Sequence, residues 1–188
     1  WQIIRHNFSK TMTDVSIKSA IVNDYTTYTD VKAVLILGHL SVPYSGDIKP
    51  DAHPEHQGAW PADVFYTDMD GEWTDTSVTS IDGTYAANHN IPGVGKWDQS
   101  IIPSALELQI SRIDLSDMPA FSSSEVQLMK NYLAKDHAYK MHSINIRHRG
   151  ALNDALPANC GEGYSANAYR NWATLIGKDS ITVSGYEY

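Results

Sequence analysis

A short, unbroken apolar segment early in the chain, VKAVLILG at residues 31–38, points to one fold class. Its length and its Val, Leu and Ile content are typical of a strand, and the lack of alternation predicts burial on both faces, as in a parallel sheet. The preceding residues 14–28 space Ile17, Ile21 and Tyr28 as a modest amphipathic helix does. A helix followed by a buried strand predicts an α/β fold with a mostly parallel sheet flanked by helices.

The same alternation continues further along the chain. Residues 105–113 (ALELQISRI) alternate apolar and polar side chains, which predicts a half-buried strand. Ser122 and Glu125 have the spacing of a capping box, which predicts a helix that runs to about Lys140. The apolar face of that helix would carry Val126, Met129, Tyr132 and Leu133.

The last third of the chain predicts three more elements. Residues 143–149 alternate like a third main strand, residues 164–176 have helical spacing and end at Gly177, and residues 180–183 open another strand. We therefore expect residues 1–188 to form a single α/β domain or subdomain. Because the alternation of helices and strands stops before it is complete, we expect the domain to be truncated at its C-terminal end.

Composition excludes several classes of function. With 188 residues, 42% hydrophobic and 19% charged, the chain is expected to be globular. A net charge of −8 argues against nucleic acid as a partner, since phosphate backbones need clustered Lys and Arg. The longest apolar run, Val34–Leu37, is too short for a membrane span. Many Tyr, Trp, Asn, Thr and Ser residues with few Lys are typical of secreted or cell-surface proteins.

Residues 41–104 form an unusually long segment rich in Gly, Pro, Asp and His. Within it, only Asp63–Tyr66 has strand-like composition. A loop of this length in a compact domain is usually functional or ion-bound. We therefore expect an irregular insertion that carries a site.

The most specific signal inside this insertion is the acidic turn DMDGEWTD at residues 68–75. Ca²⁺ prefers six to eight oxygen ligands, and carboxylates at alternate positions with a glycine at the turn supply several of them from one segment. The predicted calcium ligands are Asp68, Asp70 and Asp75, with a backbone carbonyl near Glu72. The alternative is a plain turn, in which Asp-Gly supplies turn chemistry only.

A histidine-rich stretch, DAHPEH at residues 51–56, is a candidate for a transition metal such as Zn²⁺. Its candidate ligands are Asp51, His53 and His56. His39 lies just past the carboxyl end of the apolar strand, where ligands gather in open α/β sheets, and is a fourth candidate. The favoured alternative is hydrogen-bonded or surface histidines in an ordered loop, since Pro54 prevents a helix that would align them.

Two other features have weaker chemical interpretations. Cys160 is the only cysteine, and His148 or His39 could serve it as a base, but an incidental thiol is favoured. The aromatic residues of the insertion could stack sugars, but packing of the insertion onto its domain is favoured. These aromatic residues are Trp60, Tyr66, Trp73, Tyr85 and Trp97.

Taken together, three segments resemble the amino-terminal part of gingipain-type cysteine peptidases. They are VKAVLILGHLSVPYSG, AWPADVFYTDMDGEWTD, and ELQISRIDL with the following SEVQLMKNYLAKDH. That family has a strand ending in Gly, a D-x-D-G turn, a Gly-Arg-hydrophobic strand and a helix. Ser111-Arg112-Ile113 stands at the Gly-Arg strand, so the glycine is replaced. Residues 149–177 resemble exported bacterial relatives of these peptidases, and the resemblance spans roughly residues 31–176.

The resemblance implies a caspase-like α/β fold, export and structural calcium at the acidic turn. The family's catalytic His-Gly and Cys would lie beyond Tyr188. The leading hypothesis is therefore a fragment of an exported gingipain-like cysteine peptidase homologue, and whether it belongs to an active enzyme stays open.

Two other functions remain open. One is a non-catalytic extracellular assembly protein on the same fold, with other domains or chains of the same protein as partners. The other is a metal-dependent hydrolase that uses His39, Asp51, His53 and His56.

Overall fold

The computed structural model describes residues 2–145 and 164–180, and its fold is mixed α/β. The helices are α1 (Asp14–Thr27), α2 (Glu125–Lys140) and α3 (Tyr164–Ile176). The strands are β1 (Ala33–Leu37), β2 (Tyr44–Ile48), β3 (Gly58–Pro61) and β4 (Gln109–Ile113). The chain divides into two compact units between Tyr132 and Leu133.

The two strands predicted at residues 31–38 and 105–113 are present and pair with each other. β1 and β4 are parallel neighbours, with Ala33 opposite Gln109 and Leu37 opposite Ile113. The Gly38 N–H donates to the Ile113 carbonyl at 2.9 Å and extends the pairing by one residue. The whole of residues 41–104 is thus an excursion between adjacent parallel strands.

The prediction that β1 is buried on both faces is wrong for the described residues. Ile36 is buried, but Leu35 and Leu37 are 56% and 50% exposed. In this two-stranded sheet, one face packs on the core and the other lies open.

The core lies between α1 and the inner face of this sheet. α1 begins with a cap, because the Thr13 side chain accepts from the Ser16 N–H. Its one buried side chain, Ile17, joins Ile36 and two aromatic residues of the excursion, Phe65 and Tyr66. The partly buried side chains packed around this cluster are Phe8, Met12, Ile21, Val34, Leu40, Trp73, Trp97 and Ile110.

The excursion has more regular structure than its composition predicts. β2 and β3 form an antiparallel pair with an irregular register between Ser45 and Ile48. The predicted strand-like piece Asp63–Tyr66 is instead a 3₁₀ turn, so that prediction is wrong. The Phe65 N–H donates back to the Ala62 carbonyl within this turn, and the side chains of Phe65 and Tyr66 are both buried.

The predicted helices after β4 are present, with one change at the start of α2. Ser124, rather than Ser122, accepts from the Gln127 N–H at 3.3 Å, and Glu125 binds Lys10 at 2.7 Å instead of closing a capping box. No residue of α2 is buried, so its predicted apolar face is not covered.

The later predictions lie partly outside the described residues. α3 has the predicted bounds, and Gly177 adopts a φ of 82° just after it. Residues 143–145 do not form a strand, while residues 146–149 and 181–183 lie outside the described part of the chain, as do His148 and Cys160.

Candidate functional site

Three carboxylates from two distant segments of the chain converge beside the sheet. Ligand atoms of Asp68, Asp70 and Glu107 lie within 4.8 Å of one another. Asp68 and Asp70 follow the 3₁₀ turn of the excursion, and Glu107 lies two residues before β4. We call these three residues the acidic cluster.

Asp68 is the buried member of the acidic cluster, and hydrogen bonds fix its position. Its Oδ1 accepts from the Gly71 N–H at 2.8 Å and from the Ser104 hydroxyl, and its Oδ2 accepts from the Trp73 indole at 3.0 Å. Burial raises the pKa of Asp68, but the bonds from Ser104, Gly71 and Trp73 outweigh it, so the pKa lies below its ordinary value. Asp68 is therefore an anion held in a fixed orientation.

Asp70 and Glu107 are tied to the same turn. Asp70 Oδ1 lies 2.7 Å from Ser104 Oγ, so the single hydroxyl proton of Ser104 is shared between the carboxylates of Asp68 and Asp70. Glu107 Oε2 accepts from the Met69 N–H at 2.6 Å. These bonds bring the residues just before β4 onto the acidic turn.

Lys18 of α1 lies beside the acidic cluster and partly balances its charge. Its ammonium donates to the Phe65 carbonyl at 2.5 Å and also to the Asp68 carbonyl. Burial lowers the pKa of Lys18, and the nearby carboxylates of Asp68 and Glu107 oppose that effect. One ammonium facing three carboxylates leaves net negative charge at the site.

The donor set fits calcium better than a softer metal. It offers carboxylate oxygens and the Ser104 hydroxyl, all hard ligands of the kind that Ca²⁺ takes. A Cβ added to Gly71 would collide with the Asp68 carboxylate, so any larger residue here would displace that carboxylate from its present position. Glu107 is a ligand candidate that local motif reading missed, because it lies 39 positions after Asp68.

Asp75, the third predicted calcium ligand, is not part of the acidic cluster. Its two oxygens accept from the N–H groups of Gly93 at 2.8 Å and Gly95 at 2.7 Å. The D-x-D-G turn predicted two members of the cluster, but Asp75 instead fastens a distant glycine-rich turn.

The histidine-rich stretch forms a second group. Ligand atoms of Asp51, His53 and His56 lie within 4.8 Å of one another, as predicted. Burial raises the pKa of Asp51, but bonds from the His56 ring and the His53 N–H outweigh it, so the pKa lies below its ordinary value. His39, the fourth predicted member, does not belong to this group.

His39 instead forms a pair with Asp114 where the two parallel strands end. His39 Nδ1 lies 2.8 Å from Asp114 Oδ2 and 3.0 Å from Ser116 Oγ. Partial burial raises the pKa of Asp114, but hydrogen bonds from Ser116 and His39 outweigh it and lower that pKa to about 2. The structure thus divides the four residues of the hydrolase hypothesis between two places.

Two charged residues hold the excursion in place, although neither was predicted from the sequence to have a role at a site. Arg112 of β4 binds the Asp63 carboxylate twice, at 2.7 Å each, and donates to the Leu40 and Ser41 carbonyls at 2.9 and 3.0 Å. Asp98 accepts from backbone N–H groups of residues 76–78 and from the Thr74 hydroxyl. Burial raises the pKa of Asp98, yet these bonds hold it well below its ordinary range.

The aromatic residues of the excursion mainly pack the core, which was the favoured interpretation. The Phe65 ring stacks on Trp97 at 4.5 Å and meets Trp73 edge-on at 5.5 Å. Trp60 is half-buried and donates to the His56 carbonyl at 3.0 Å. Tyr85 is exposed, with its ring 5.6 Å from that of His56.

Comparison with protein-family models gives no match, and comparisons with curated proteins and with solved structures give no significant match. Across the described helices, none has both the length and the apolar character that a bilayer crossing requires. The class that fold and site define is therefore an α/β unit with an anchored acidic cluster beside a parallel strand pair.

Proposed function

We propose that this chain is the amino-terminal part of an exported cysteine-peptidase-like protein of the gingipain type, with calcium at the acidic cluster. The convergence of Asp68, Asp70 and Glu107 beside β4 carries the proposal. It unites the D-x-D-G turn with the Arg112 strand, the two segments on which the resemblance depends most. In this proposal the caspase-like sheet continues in the rest of the protein, and a His and a Cys beyond Tyr188 supply the catalysis.

Calcium would act here as a structural clamp. Three carboxylates within 4.8 Å repel one another, and Lys18 offsets only one charge. A divalent cation bound by Asp68, Asp70 and Glu107 removes that repulsion and ties the excursion to the start of β4. The site then stabilises the folded chain by mass action, because the unfolded chain does not bring the three residues together.

Thermal unfolding of the calcium-depleted chain, with and without added Ca²⁺, tests the site. At a calcium concentration about 100 times Kd, binding adds about 2.7 kcal/mol, a shift in Tm of roughly 5–10 °C. We expect Asp70→Asn and Glu107→Gln to abolish most of this shift. The matched control is Asp82→Asn, an exposed acidic residue of the same excursion.

Calcium binding at the acidic cluster is excluded if Tm does not respond to Ca²⁺. It is also excluded if the shift survives in Asp70→Asn and Glu107→Gln at the size seen in Asp82→Asn. Circular dichroism of each calcium-free variant shows whether it folds, so a loss of response is separable from a loss of structure.

The peptidase part of the proposal is tested on the natural gene product. We expect its continuation to contain a His-Gly after one strand and a Cys after the next. In that arrangement the thiolate attacks a peptide carbonyl and the imidazole carries the proton to the leaving amine. A thiol-directed inhibitor should label that cysteine and abolish peptide cleavage. A continuation without this His-Gly and Cys refutes the catalytic proposal, and leaves the calcium result unaffected.

One observation favours the assembly alternative. The outer face of β1 exposes Leu35 and Leu37, and such exposed apolar residues are often covered by another domain or chain. Sedimentation of the chain over a range of concentrations shows whether copies of the chain assemble with one another or stay monomeric. Self-association that Leu35→Thr removes supports assembly between copies, and a monomer at all concentrations contradicts it.

A further inference from the structure

The histidine-rich stretch is a second, chemically different site. We propose that Asp51, His53 and His56 together bind one divalent transition-metal ion of the Zn²⁺ class, independently of calcium at the acidic cluster. The residues belong to one surface loop between β2 and β3, and neither His39 nor any member of the acidic cluster takes part.

One distance within this group matches the separation between ligands of one ion, and the other is close to it. Both imidazoles point their Nδ1 atoms at the same Asp51 oxygen, Oδ2, from 3.3 Å for His53 and 2.5 Å for His56. Ligands bound at about 2.0–2.1 Å in a tetrahedron lie roughly 3.3–3.4 Å apart. The His53 pair already has this separation, and the His56 pair has to open by less than about 1 Å.

The loop is held in this shape from both sides. Asp51 Oδ1 accepts from the His53 N–H at 3.2 Å, and Pro54–His56 form a 3₁₀ turn. Neighbouring residues anchor the turn, because the His56 carbonyl accepts from the Trp60 indole and the Glu55 carbonyl from the Thr84 N–H. An ion therefore meets ligands that are already placed.

The backbone between the ligands is itself unusual. Ala52 has a φ of 66°, a left-handed conformation that is unfavourable for a residue with a Cβ. Strained residues of this kind persist where the surrounding structure fixes them, often beside ligand sites. Here the conformation turns Asp51 back toward His53.

The donor atoms select the class of metal. Two imidazole nitrogens and one carboxylate suit Zn²⁺, Ni²⁺ or Cu²⁺, whereas Ca²⁺ and Mg²⁺ prefer oxygen donors throughout. All three residues reach solvent, and His56 is the least exposed of them. Three protein ligands leave a fourth position for water or for a donor from another molecule.

Calorimetric titration of the metal-free 188-residue chain with Zn²⁺ tests the proposal. We expect one Zn²⁺ per chain, and visible ligand-field bands when Co²⁺ replaces it. His53→Asn and His56→Asn should each weaken Zn²⁺ binding at least ~10-fold, since even outer-shell changes at metal sites have effects of that size. Excess Ca²⁺ should not displace the Zn²⁺.

The matched controls are His6→Asn and His39→Asn, two exposed histidines outside the group. Both should bind Zn²⁺ as the unmodified chain does. Absence of binding by the unmodified chain overturns the proposal, and so does unchanged affinity in the double variant His53→Asn/His56→Asn. A cooperative thermal unfolding transition of each variant without metal shows that it folds, so a loss of Zn²⁺ binding is separable from a loss of structure.

Discussion

Single carboxylates whose charge is held by hydrogen bonds account for much of the local order. Asp68 and Asp98 are the buried examples, and Asp114 is a more accessible one beside His39. Asp68 and Asp114 accept from N–H or O–H donors in the residues that follow them and in distant segments, whereas Asp98 accepts from residues 74–78, which precede it. Removing such an acceptor leaves several donors without a partner, and a buried unpaired donor costs more free energy than one hydrogen bond contributes.

Asp114 gives the stability a defined pH dependence. Its pKa in the folded chain is about 2, below its ordinary value of 3.8, so the ionised form is favoured by folding. The resulting stability is fully present above about pH 4 and is lost as pH falls toward 2. We expect Asp114→Asn to lower the unfolding free energy by about 1–2 kcal/mol at pH 6 and by much less at pH 2. Urea unfolding at several pH values measures the loss of unfolding free energy at pH 6 and at pH 2.

A difference between the two proteins that stays constant from pH 6 to pH 2 would contradict this role for Asp114. His39→Ala is the companion variant, since it removes one of the hydrogen bonds that lower the pKa of Asp114 but keeps the carboxylate.

At this scale the sequence predicted groups built within one short segment better than contacts between distant segments. The D-x-D-G spacing located Asp68 and Asp70, and the D-x-H-x-x-H spacing located the histidine group, because each is built within one short segment. Glu107 was missed and Asp75 was misplaced because their partners lie tens of residues away. No spacing rule reports such contacts.

Among the elements, β4 has the largest organising role, through Arg112. Its guanidinium binds Asp63 of the 3₁₀ turn with two hydrogen bonds and also holds the carbonyls of Leu40 and Ser41, which follow β1. The hydrogen bonds to Asp63 raise the pKa of Arg112 and outweigh the opposing effect of burial. One side chain thus joins the strand, the turn and the start of the excursion.

Arg112→Lys should therefore be poorly tolerated. A lysine keeps the charge but cannot make the paired bonds to Asp63 and reach both carbonyls. We expect a loss of about 1–3 kcal/mol in unfolding free energy, measured by urea denaturation at neutral pH. Arg5→Lys, at an exposed arginine near the start of the chain, is the control and should change stability by less than about 0.5 kcal/mol. A small effect at Arg112 would show that its charge alone is sufficient.

Element type was predictable where the hydrophobic pattern was long. The bounds of α1 and α3 agree with their sequence patterns to within one residue, and α2 begins two residues later than its predicted cap at Ser122 implies. The prediction of a strand-like piece at Asp63–Tyr66 was wrong because four residues are too few for periodicity to separate a strand from a turn. The pairing of β2 with β3 was missed because Gly, Ser and Asp in those segments do not resemble a strand.

The unit that ends at Tyr132 has a sheet with one covered face. Ile36 points into the core, whereas its neighbours Leu35 and Leu37 face outward. The sequence predicted burial on both sides, because an unbroken apolar run carries no information about which neighbours are present. The α/β class and the β1–β4 pairing were predictable, but the open face was not.

Threonine substitutions at two adjacent positions of β1 should therefore have very different effects. Ile36→Thr places a hydroxyl in the apolar core and should lower stability by about 2–4 kcal/mol. Leu35→Thr, one residue away on the outer face, should change stability by less than about 0.5 kcal/mol. Thermal unfolding of both variants gives the comparison. A large loss for Leu35→Thr would mean that its outer face is covered in solution.

The pairing of β1 with β4 means that β1 has to wait for its partner during synthesis on the ribosome. Ala33 and Gln109 are 76 positions apart, so β1 is synthesised about 4–15 s before its partner at usual elongation rates. Closing a chain segment of that length costs roughly 4 kcal/mol in entropy before any contact forms. During that interval Val34–Leu37 is an unpaired apolar strand, the kind of segment that chaperones bind.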